Sequence, residues 1–128
     1  MDASVLMEVL LGSERGRRAE GHFVGHAVHL PQLAYLEVAS TVRGWLRGGL
    51  LTQVRADQLI ADLPRFPAKS WPHERLVHRV WGLRDNMSAY DASYVALAES
   101  LGATLLTTDA RLAVAVRAHA ACPVIEVV

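Results

Sequence analysis

The sequence predicts a single α/β domain over residues 1–128, built in three layers, with a parallel sheet of about four to five strands flanked by helices. A length of 128 residues is typical of one domain with one core. Short apolar runs alternate with segments whose apolar residues recur at helical spacing, as in parallel α/β sheets. The stretch 86–113 shows this pattern most clearly, because it contains a helix, a glycine stop, a buried strand and the start of a second helix.

The chain begins with a helix rather than a strand. Asp2 precedes a helical apolar stripe within residues 3–11, and only Met1 stands before it, so the first strand is expected to be nearly absent. Residues 12–21 (GSERGRRAEG) are charged and bracketed by glycines. This composition favours a solvated connection or a short helix, although its arginines could also contact phosphates.

The next elements are predicted from apolar spacing and from proline and glycine positions. Residues 26–30 should form a strand that ends at Pro31, and the helix that follows should end at Gly48. The apolar face of that helix is predicted to consist of Leu33, Leu36, Val38, Val42, Trp45 and Leu46. Thr52 is predicted to cap another helix, which Pro64 stops.

The second half of the chain continues the alternation. Residues 66–71 should form an irregular or short extended piece, and residues 73–84 an amphipathic helix. The inward residues of that helix are predicted to be Leu76, Val77, Val80, Trp81 and Leu83. The remaining elements are a helix from the Ser88 cap to Gly102, a strand over 103–106, a helix from Asp109 to about His119 and a strand over 124–128.

Composition limits the possible partners and compartments. Lysine and arginine number 13, as do aspartate and glutamate, so any contact with nucleic acid must be local. No apolar run approaches the roughly 20 residues needed to cross a bilayer, and no secretory signal is visible. The single Cys122 cannot form an internal disulfide, which agrees with a reducing compartment. A cytoplasmic protein is therefore expected.

Three histidines recur close together in the first third of the chain. His22, His26 and His29 are spaced by four and three residues, which would suit zinc if all lay on one helix. His26 and His29 fall in a predicted strand, however, and should face opposite sides of it. No cysteine or carboxylate pair completes a site, so zinc is not expected here.

Four acids can converge at one edge of the predicted sheet: Asp2, Glu37, Asp91 and Asp109. Each alone has an ordinary explanation, as a helix cap, half of a capping box or a solvent-facing residue. Together they favour a site, because ligands in parallel α/β sheets bind at the carboxyl ends of the strands. Two carboxylates 4 Å apart repel by about 4 kcal/mol at an effective dielectric of 20, so the cluster needs a cation. An all-oxygen ligand set selects Mg²⁺ or Mn²⁺ over zinc.

Four short motifs also stand in a particular order along the chain. They are Asp2-Ala3-Ser4-Val5, Leu36-Glu37-Val38, Tyr90-Asp91-Ala92 followed by Tyr94-Val95-Ala96-Leu97-Ala98, and Thr107-Thr108-Asp109-Ala110-Arg111-Leu112. By order and separation this set resembles the PIN-domain nucleases, and within them the VapC-type toxins of bacterial toxin–antitoxin operons. The resemblance covers nearly the whole chain. It departs from the usual pattern only at the start, where relatives have several apolar residues before the first aspartate.

The resemblance implies an endoribonuclease toxin that hydrolyses RNA phosphodiester bonds with a bound Mg²⁺ or Mn²⁺. It assigns metal binding and catalysis to Asp2, Glu37, Asp91 and Asp109, and it places Ser4, Asn86 and Thr107 along the same pocket. Arg43 and Arg47 lie one helical turn apart downstream of Glu37. They are candidates for binding the RNA backbone, and a salt-bridged exposed face is the alternative.

The resemblance also implies partners, namely a VapB-like antitoxin and a second copy of the chain in a homodimer. The faces expected to receive the antitoxin are residues 5–11 and 42–51. Their apolar residues are Val9, Leu10, Trp45, Leu46, Leu50 and Leu51. An ordinary core role for these side chains is the competing interpretation.

Other acid-based functions fit the sequence less well. Haloacid-dehalogenase-type phosphatases need a second aspartate two residues after the first, where this chain has Ser4. Response receivers need a lysine after the last strand, and the only lysine is Lys69. A catalytically silent PIN fold that only binds RNA or protein stays open. No glycine-rich phosphate loop indicates a nucleotide cofactor.

Overall fold

The structure, a computed structural model, describes residues Met1–Val128 as seven helices, four short strands and one 3-10 turn. The elements in chain order are α1 (Ala3–Leu11), α2 (Glu14–Phe23), β1 (His29–Pro31), α3 (Leu33–Arg47), α4 (Gln53–Asp62), the 3-10 turn (Leu63–Arg65), β2 (Lys69–Trp71), α5 (Val77–Gly82), α6 (Ala89–Leu101), β3 (Leu105–Thr107), α7 (Ala110–His119) and β4 (Val124–Glu126). The predicted α/β class is confirmed. None of the helices has the length and apolar character that a membrane crossing requires.

The strands form two separate parallel pairs rather than one sheet. β1 pairs with β2, so that Leu30 lies opposite Ser70, and β3 pairs with β4, so that Leu106 lies opposite Ile125. The expected total of about four to five strands and their parallel direction agree with the structure, but the single continuous sheet does not. No strand lies between the two pairs, and the chain start contacts β3 through the Asp2 amide, which donates to the Leu106 carbonyl at 2.9 Å.

Helix α6 forms the centre of the molecule, and its ends are those that the sequence predicts. The Ser88 hydroxyl accepts a hydrogen bond from the Asp91 amide at 3.1 Å, and Gly102 takes the left-handed conformation with φ of 60°. Between these caps, residues 92–98 are all buried, so that the helix is enclosed on most of its circumference. It packs on both β1 and β3 and thereby joins the two strand pairs through a shared core.

Residues 12–21 are largely helical, which the sequence left open. The Ser13 side chain caps α2 by accepting from the Gly16 amide at 2.9 Å. Gly16 packs directly on α1, because a Cβ atom at this position would lie 2.2 Å from the Glu8 carbonyl oxygen. Ala19 is fully buried one turn later. The charged sequence of α2 therefore belongs to a packed helix whose arginines face outward.

Two predicted apolar faces prove partly wrong. Leu76 and Leu83 are buried as expected, but α5 is shorter than residues 73–84 and leaves Val77 and Trp81 exposed. Six residues allow only one narrow face to reach the core. Trp81 instead lies against the Arg84 guanidinium, 4.8 Å from the ring centre. In α3, Leu36 also points outward with 73% of its surface exposed.

Candidate active site

The four predicted acids lie at or near the starts of four helices, of which α3 follows β1 and α7 follows β3. Asp2 caps α1 and Asp109 caps α7, whereas Asp91 lies in the first turn of α6 and Glu37 in the second turn of α3. Repulsion by Asp2 contributes to raised pKa values at both Glu37 and Asp91, after the larger effect of burial. The four carboxylates therefore share one electrostatic environment.

Asp2 is the most firmly held acid. It is only 6% exposed, and its Oδ1 accepts from the Ser4 hydroxyl at 2.6 Å and from the Val5 amide at 3.1 Å. Its Oδ2 accepts from the Thr107 hydroxyl. Its backbone amide donates to the Leu106 carbonyl at 2.9 Å. Both carboxylate oxygens and the amide of this buried residue are thus satisfied, as burial of a charge requires.

The same hydroxyl groups tie the chain start to the end of β3. The Ser4 oxygen accepts from the Thr108 amide at 3.0 Å, and the Thr107 oxygen accepts from the Asp109 amide at 3.0 Å. Asp109 Oδ1 in turn accepts from the Arg111 amide at 2.8 Å as the cap of α7. These bonds form the Asp2–Asp109 half of the site, in which each carboxylate has neutral donors from the fold.

Glu37 and Asp91 form the other half of the site and are held by fewer bonds. Glu37 Oε1 accepts from the Tyr94 hydroxyl at 2.6 Å, and no protein donor reaches its other oxygen. Burial raises the pKa of Glu37, the Tyr94 hydrogen bond lowers it, and repulsion by Asp91 and Asp2 raises it further. The phenolic pKa of Tyr94 is raised by burial and by this same bond, so its hydroxyl stays a proton donor.

Of the four carboxylates, that of Asp91 is restrained least by the fold. Burial raises the pKa of this group, and repulsion by Asp109 and Asp2 adds to the effect, while the Ser88 hydroxyl and Arg111 oppose it. Its backbone amide, not its carboxylate, makes the hydrogen bond to Ser88. Arg111 is almost fully exposed and lies 3.9 Å from Asp109, so it neutralises the cluster only in part.

The chemistry of the four side chains suits a hard divalent cation. All four offer oxygen ligands, no histidine or cysteine lies among them, and their mutual repulsion would be relieved by positive charge. In the conformation described, no three acidic, histidine or cysteine side chains are arranged to hold one ion.

The other predicted site residues fall into two groups. Ser4 and Thr107 lie inside the hydrogen-bond network around Asp2. Asn86 is exposed in the turn before α6, and its side chain bonds to none of the acids. Arg43 and Arg47 are exposed on α3 and form no ion pair, so the salt-bridged alternative for this face is not what the structure shows.

Sequence reasoning missed Tyr94 as a site residue because its spacing fitted an apolar helix face. Tyr94 is 3% exposed, yet its hydroxyl reaches Glu37. A signal was present, since Asp91 and Tyr94 are three residues apart and so share a face of α6.

An open groove of about 780 Å³ runs beside the acids. Glu37 and Ser4 lie at one side of it, and Met7, Leu36, Trp45 and Tyr90 provide much of the remaining wall. Leu36 and Tyr90 are exposed by 73% and 66%. Of the residues predicted to form an apolar partner surface, Trp45 lines the groove and Leu50 is exposed elsewhere. The others, Val9, Leu10, Leu46 and Leu51, pack against the core.

The histidine cluster lies elsewhere. His22, His26 and His29 line one cavity between the two strand pairs instead of facing opposite sides, because β1 begins only at His29 and His26 lies in the turn before it. His29 Nδ1 accepts from the Trp71 indole N–H at 3.0 Å. That nitrogen is therefore occupied within the protein.

Comparison with known proteins adds independent findings. The family model described as PIN domain matches residues 1–117. The VapC ribonuclease Mb0985 of Mycobacterium bovis is 34% identical over 124 residues, which cover 97% of this chain and 94% of the relative. In Mycobacterium tuberculosis, ribonuclease VapC12 is 31% identical over 88% of both chains. Ribonuclease VapC3 is 35% identical over 88% of this chain and 83% of the relative.

Proposed function

Because the chain belongs to the PIN-domain family, we propose that it is an endoribonuclease that uses Mg²⁺ or Mn²⁺ and acts as the toxin of a VapBC-type pair. The observation that carries this proposal is the electrostatic coupling of four carboxylates at one edge of the fold. The relatives named VapC ribonuclease support the reaction, and the oxygen-only ligand set supports the choice of ion.

The four acids have distinct tasks in this proposal. Asp2 and Asp109 would offer the ion carboxylates that hydrogen bonds already position, and Asp91 and Glu37 would complete the ligand set. When bound, the ion lowers the pKa of a water molecule and offsets charge on the leaving oxygen. Glu37 Oε2 has no protein donor and is the atom best placed to accept a proton from the attacking water, while the Tyr94 hydroxyl holds Oε1.

Arg43 and Arg47 are proposed to bind the RNA backbone. They are four residues apart on one face of α3, exposed and without acidic partners. We expect Arg43→Gln and Arg47→Gln to raise KM and to weaken the salt dependence of binding by roughly one counterion each. Arg65→Gln is the matched control, because Arg65 is also exposed and unpaired but lies beyond α4. If Arg65→Gln changed KM and the salt dependence equally, the effect would reflect overall charge and not a contact with RNA at α3.

The decisive test is cleavage of a labelled single-stranded RNA by the purified protein with Mg²⁺, with Mn²⁺ and with excess EDTA. We expect cleavage with either ion and none in EDTA. Full activity in EDTA would contradict the metal mechanism. No cleavage with any divalent ion, together with retained RNA binding, would favour the alternative of a catalytically silent PIN-fold binding module.

The groove beside the acids is the proposed docking surface for a VapB-like antitoxin. Leu36, Trp45 and Tyr90 offer apolar contact to an amphipathic segment, and the acids would attract one of its arginine or lysine side chains. We expect Trp45→Ala and Leu36→Glu to weaken antitoxin binding at least about tenfold, by lost apolar contact in the groove. Val54→Glu is the control, since Val54 on α4 is exposed by 68% and does not line the groove. Unchanged affinity in both groove variants would remove this surface from the proposal.

A homodimer is proposed from the family and from the exposed apolar side chains outside the groove. Val77 and Trp81 on α5 are exposed by 55% and 67%, a neighbouring pair that a second copy could cover. Light scattering at micromolar concentration is expected to give twice the monomer mass. A monomeric mass there would contradict the dimer and leave the proposed reaction unaffected.

A further inference from the structure

Helix α3 carries Glu37 but has no cap of its own. Five of the seven helices, α1, α2, α4, α6 and α7, begin after an Asp, Ser or Thr whose side chain accepts from an amide of the first turn. At the start of α3, Gln32 has helical backbone angles and its side chain bonds to none of these amides. The first amides of α3 therefore need acceptors from elsewhere in the chain.

Those acceptors lie at the end of β2 and just after it. The Trp71 carbonyl accepts from the Gln32 amide at 2.9 Å, and His73 Nε2 accepts from the Leu33 amide at 3.0 Å. His73 is 40 positions away from Leu33 in the chain. A ring nitrogen that accepts a hydrogen bond carries no proton, so the imidazole is neutral and its proton lies on Nδ1.

Packed structure on both sides holds the His73 ring against α3. The His73 carbonyl accepts from the Leu76 amide at 2.8 Å, and Leu76 is only 6% exposed. Two residues earlier, Trp71 lies opposite Pro31 in the β1–β2 pair, and its indole N–H donates to His29 Nδ1 at 3.0 Å. The cap therefore belongs to an ordered part of the fold.

The residue that His73 caps is also the helical hydrogen-bond partner of Glu37. In an α-helix each amide donates to the carbonyl four residues earlier, so the Glu37 amide donates to the Leu33 carbonyl. Leu33 is thus held through its N–H by His73 and through its carbonyl by Glu37. The Glu37 carboxylate has only the Tyr94 hydroxyl as a protein donor, so its position depends on this helical turn.

We propose that His73 is a positioning residue for Glu37: its neutral imidazole caps α3 and so fixes the turn that carries Glu37 to the other acids. The consequence for catalysis rests on the proposed function, whereas the cap itself does not. Protonation of His73 would remove the acceptor and place positive charge at the amino end of α3, where the helix dipole is also positive. The cap is therefore expected to be lost on acidification.

No other charged group bonds to the His73 ring. The charged and titratable groups on the elements around it are His29 on β1, Lys69 on β2, Glu37 on α3, Glu74 and Arg75 beside it in the chain, and His78 on α5. Glu74 and Arg75 are exposed and form no ion pair. The hydrogen bond from the Leu33 amide is therefore the contact that protonation breaks.

Amide exchange at Glu37, followed in the full chain in EDTA, measures the cap without reference to activity. His73→Leu removes the acceptor and should lower the protection of this amide about tenfold at pH 7.5. His73→Gln offers an uncharged carbonyl acceptor and should keep the protection within about threefold of the wild type. His78→Leu is the matched control, because His78 is exposed on α5 and makes no hydrogen bond through its side chain. It should leave the protection unchanged.

The pH dependence separates the cap from simple packing. Between pH 7.5 and pH 5 the wild-type imidazole gains a proton, whereas glutamine does not titrate. Protection of the Glu37 amide should therefore fall about tenfold more in the wild type than in His73→Gln. Titration of the acids and of His29 occurs in both proteins, so it cancels in this comparison.

Cleavage of a labelled RNA with Mg²⁺ at pH 7.5 tests the positioning of Glu37. His73→Leu should lower kcat about tenfold and leave KM within about twofold, since a displaced Glu37 affects the reaction and not RNA binding. His73→Gln should restore kcat. A loss of protection in His73→Leu with unchanged kcat would overturn the positioning role and leave the proposed ribonuclease in place.

The exchange measurements decide the cap in every case. Equal protection of Glu37 in His73→Leu and the wild type would overturn it, as would an equal loss on acidification in the wild type and His73→Gln. If His73→Leu did not fold, the comparison of the wild type with His73→Gln would still decide. A wild type that cleaved no RNA with any divalent ion would contradict the proposed function, and the exchange results would still show whether His73 holds the turn of Glu37.

Discussion

The two halves of the acid site differ in how the fold holds their carboxylates. In the Asp2–Asp109 half, hydroxyl and amide donors from α1 and the end of β3 satisfy the side chains, and Asp2 is buried. In the half formed by Glu37 and Asp91, the Tyr94 hydroxyl donates to Glu37 at 2.6 Å, and the nearby Ser88 hydroxyl favours the charged form of Asp91. The pKa values of both acids in this second half are raised, by burial first and by repulsion second.

In the Asp2–Asp109 half, the fold supplies hydrogen-bond donors to the carboxylates. In the half formed by Glu37 and Asp91, the carboxylates repel one another and have fewer such donors. Hydrogen bonds from several neutral donors offset the cost of burying a carboxylate. A half-buried carboxylate that faces other acids gains most from a cation. The hydrogen bonds of the first half are therefore expected to stabilise the fold, whereas the repulsion between carboxylates in the second half is expected to lower the free energy of unfolding.

Asp91→Asn is the change expected to separate activity from stability most completely. It removes one of the proposed ion ligands, so RNA cleavage should fall at least about 100-fold, the equivalent of several kcal/mol of transition-state stabilisation. The free energy of unfolding in EDTA should stay the same or rise, because a repelling charge is lost. Cleavage of a labelled RNA and urea denaturation measure the two quantities.

Asp85→Asn is the matched control for this variant. Asp85 lies six residues earlier, is exposed and forms no hydrogen bond or ion pair through its side chain. It should change neither cleavage nor unfolding. A loss of stability in Asp91→Asn comparable to its loss of activity would contradict the assignment of Asp91 to the loosely held half.

Thr107→Val tests the firmly held half and should show the opposite pattern. The substitution keeps the shape of a fully buried side chain but removes the hydroxyl that donates to Asp2 and accepts from the Asp109 amide. Leaving these groups without a partner should cost about 1–3 kcal/mol of unfolding free energy. Cleavage should fall as well, since Asp2 loses a bond that positions it.

Thr104→Val serves as the comparison for Thr107→Val. Thr104 precedes β3, is exposed and makes no side-chain hydrogen bond. Its substitution should shift the unfolding free energy by less than about 0.5 kcal/mol. If Thr107→Val proved as harmless as Thr104→Val, the bond between β3 and Asp2 would not be a determinant of stability.

Local signals in the sequence were sufficient to predict the elements that surround the firmly held half. Asp2 and Asp109 both act as the helix caps that their residue types and positions predict. The single sheet was not predictable from such signals, because strand pairing depends on a neighbour in space. The structure has no strand between β1 and β3, and two separate pairs result.

The loosely held half shows a second limit of sequence reasoning. Glu37 and Asp91 could be proposed as site residues from their types and their placement in helices. The Tyr94 hydrogen bond to Glu37 joins residues 57 positions apart, and the spacing of residues along the sequence does not predict it. The exposed positions of Leu36 and Trp81 were missed for a related reason, since spacing alone does not show which face of a helix finds a partner.

Tyr94→Phe tests the half formed by Glu37 and Asp91, because it removes the hydrogen bond that restrains the Glu37 carboxylate. Loss of the hydroxyl removes the hydrogen bond that favours the charged carboxylate, so the pKa of Glu37 should rise beyond its already raised value. The acidic limb of the cleavage rate against pH should then move upward by up to about one pH unit. Cleavage at pH 7 should fall only a few-fold.

Tyr35→Phe provides the control, because Tyr35 is half-buried on the same helix as Glu37 and its hydroxyl bonds to none of the acids. Its pH profile should coincide with that of the wild type. An unshifted profile in Tyr94→Phe would mean that Glu37 does not control the acidic limb.

The smallest expected effect is the pH dependence of stability in EDTA. Because the pKa values of Glu37 and Asp91 lie above their ordinary values of 4.5 and 3.8, the native state binds more protons than the unfolded state between each pair of values. These two groups therefore destabilise the fold at pH 7, and that destabilisation disappears as the pH falls through their native pKa values. Glu99 acts in the opposite sense, since the bond to Arg79 lowers its pKa.

Comparing Asp91→Asn with the wild type cancels Glu99 and isolates the acid site. The variant should be more stable at pH 7 by less than about 1 kcal/mol, because Asp91 is partly solvated. Its advantage should shrink steadily as the pH falls through the raised pKa of Asp91 toward the ordinary value of 3.8, because the wild-type carboxyl then takes up a proton. Asp85→Asn should show no such convergence. An advantage that stays constant from pH 7 to pH 4 would mean that Asp91 is not repelled by its neighbours, and the contrast between the two halves would then rest on hydrogen bonds alone.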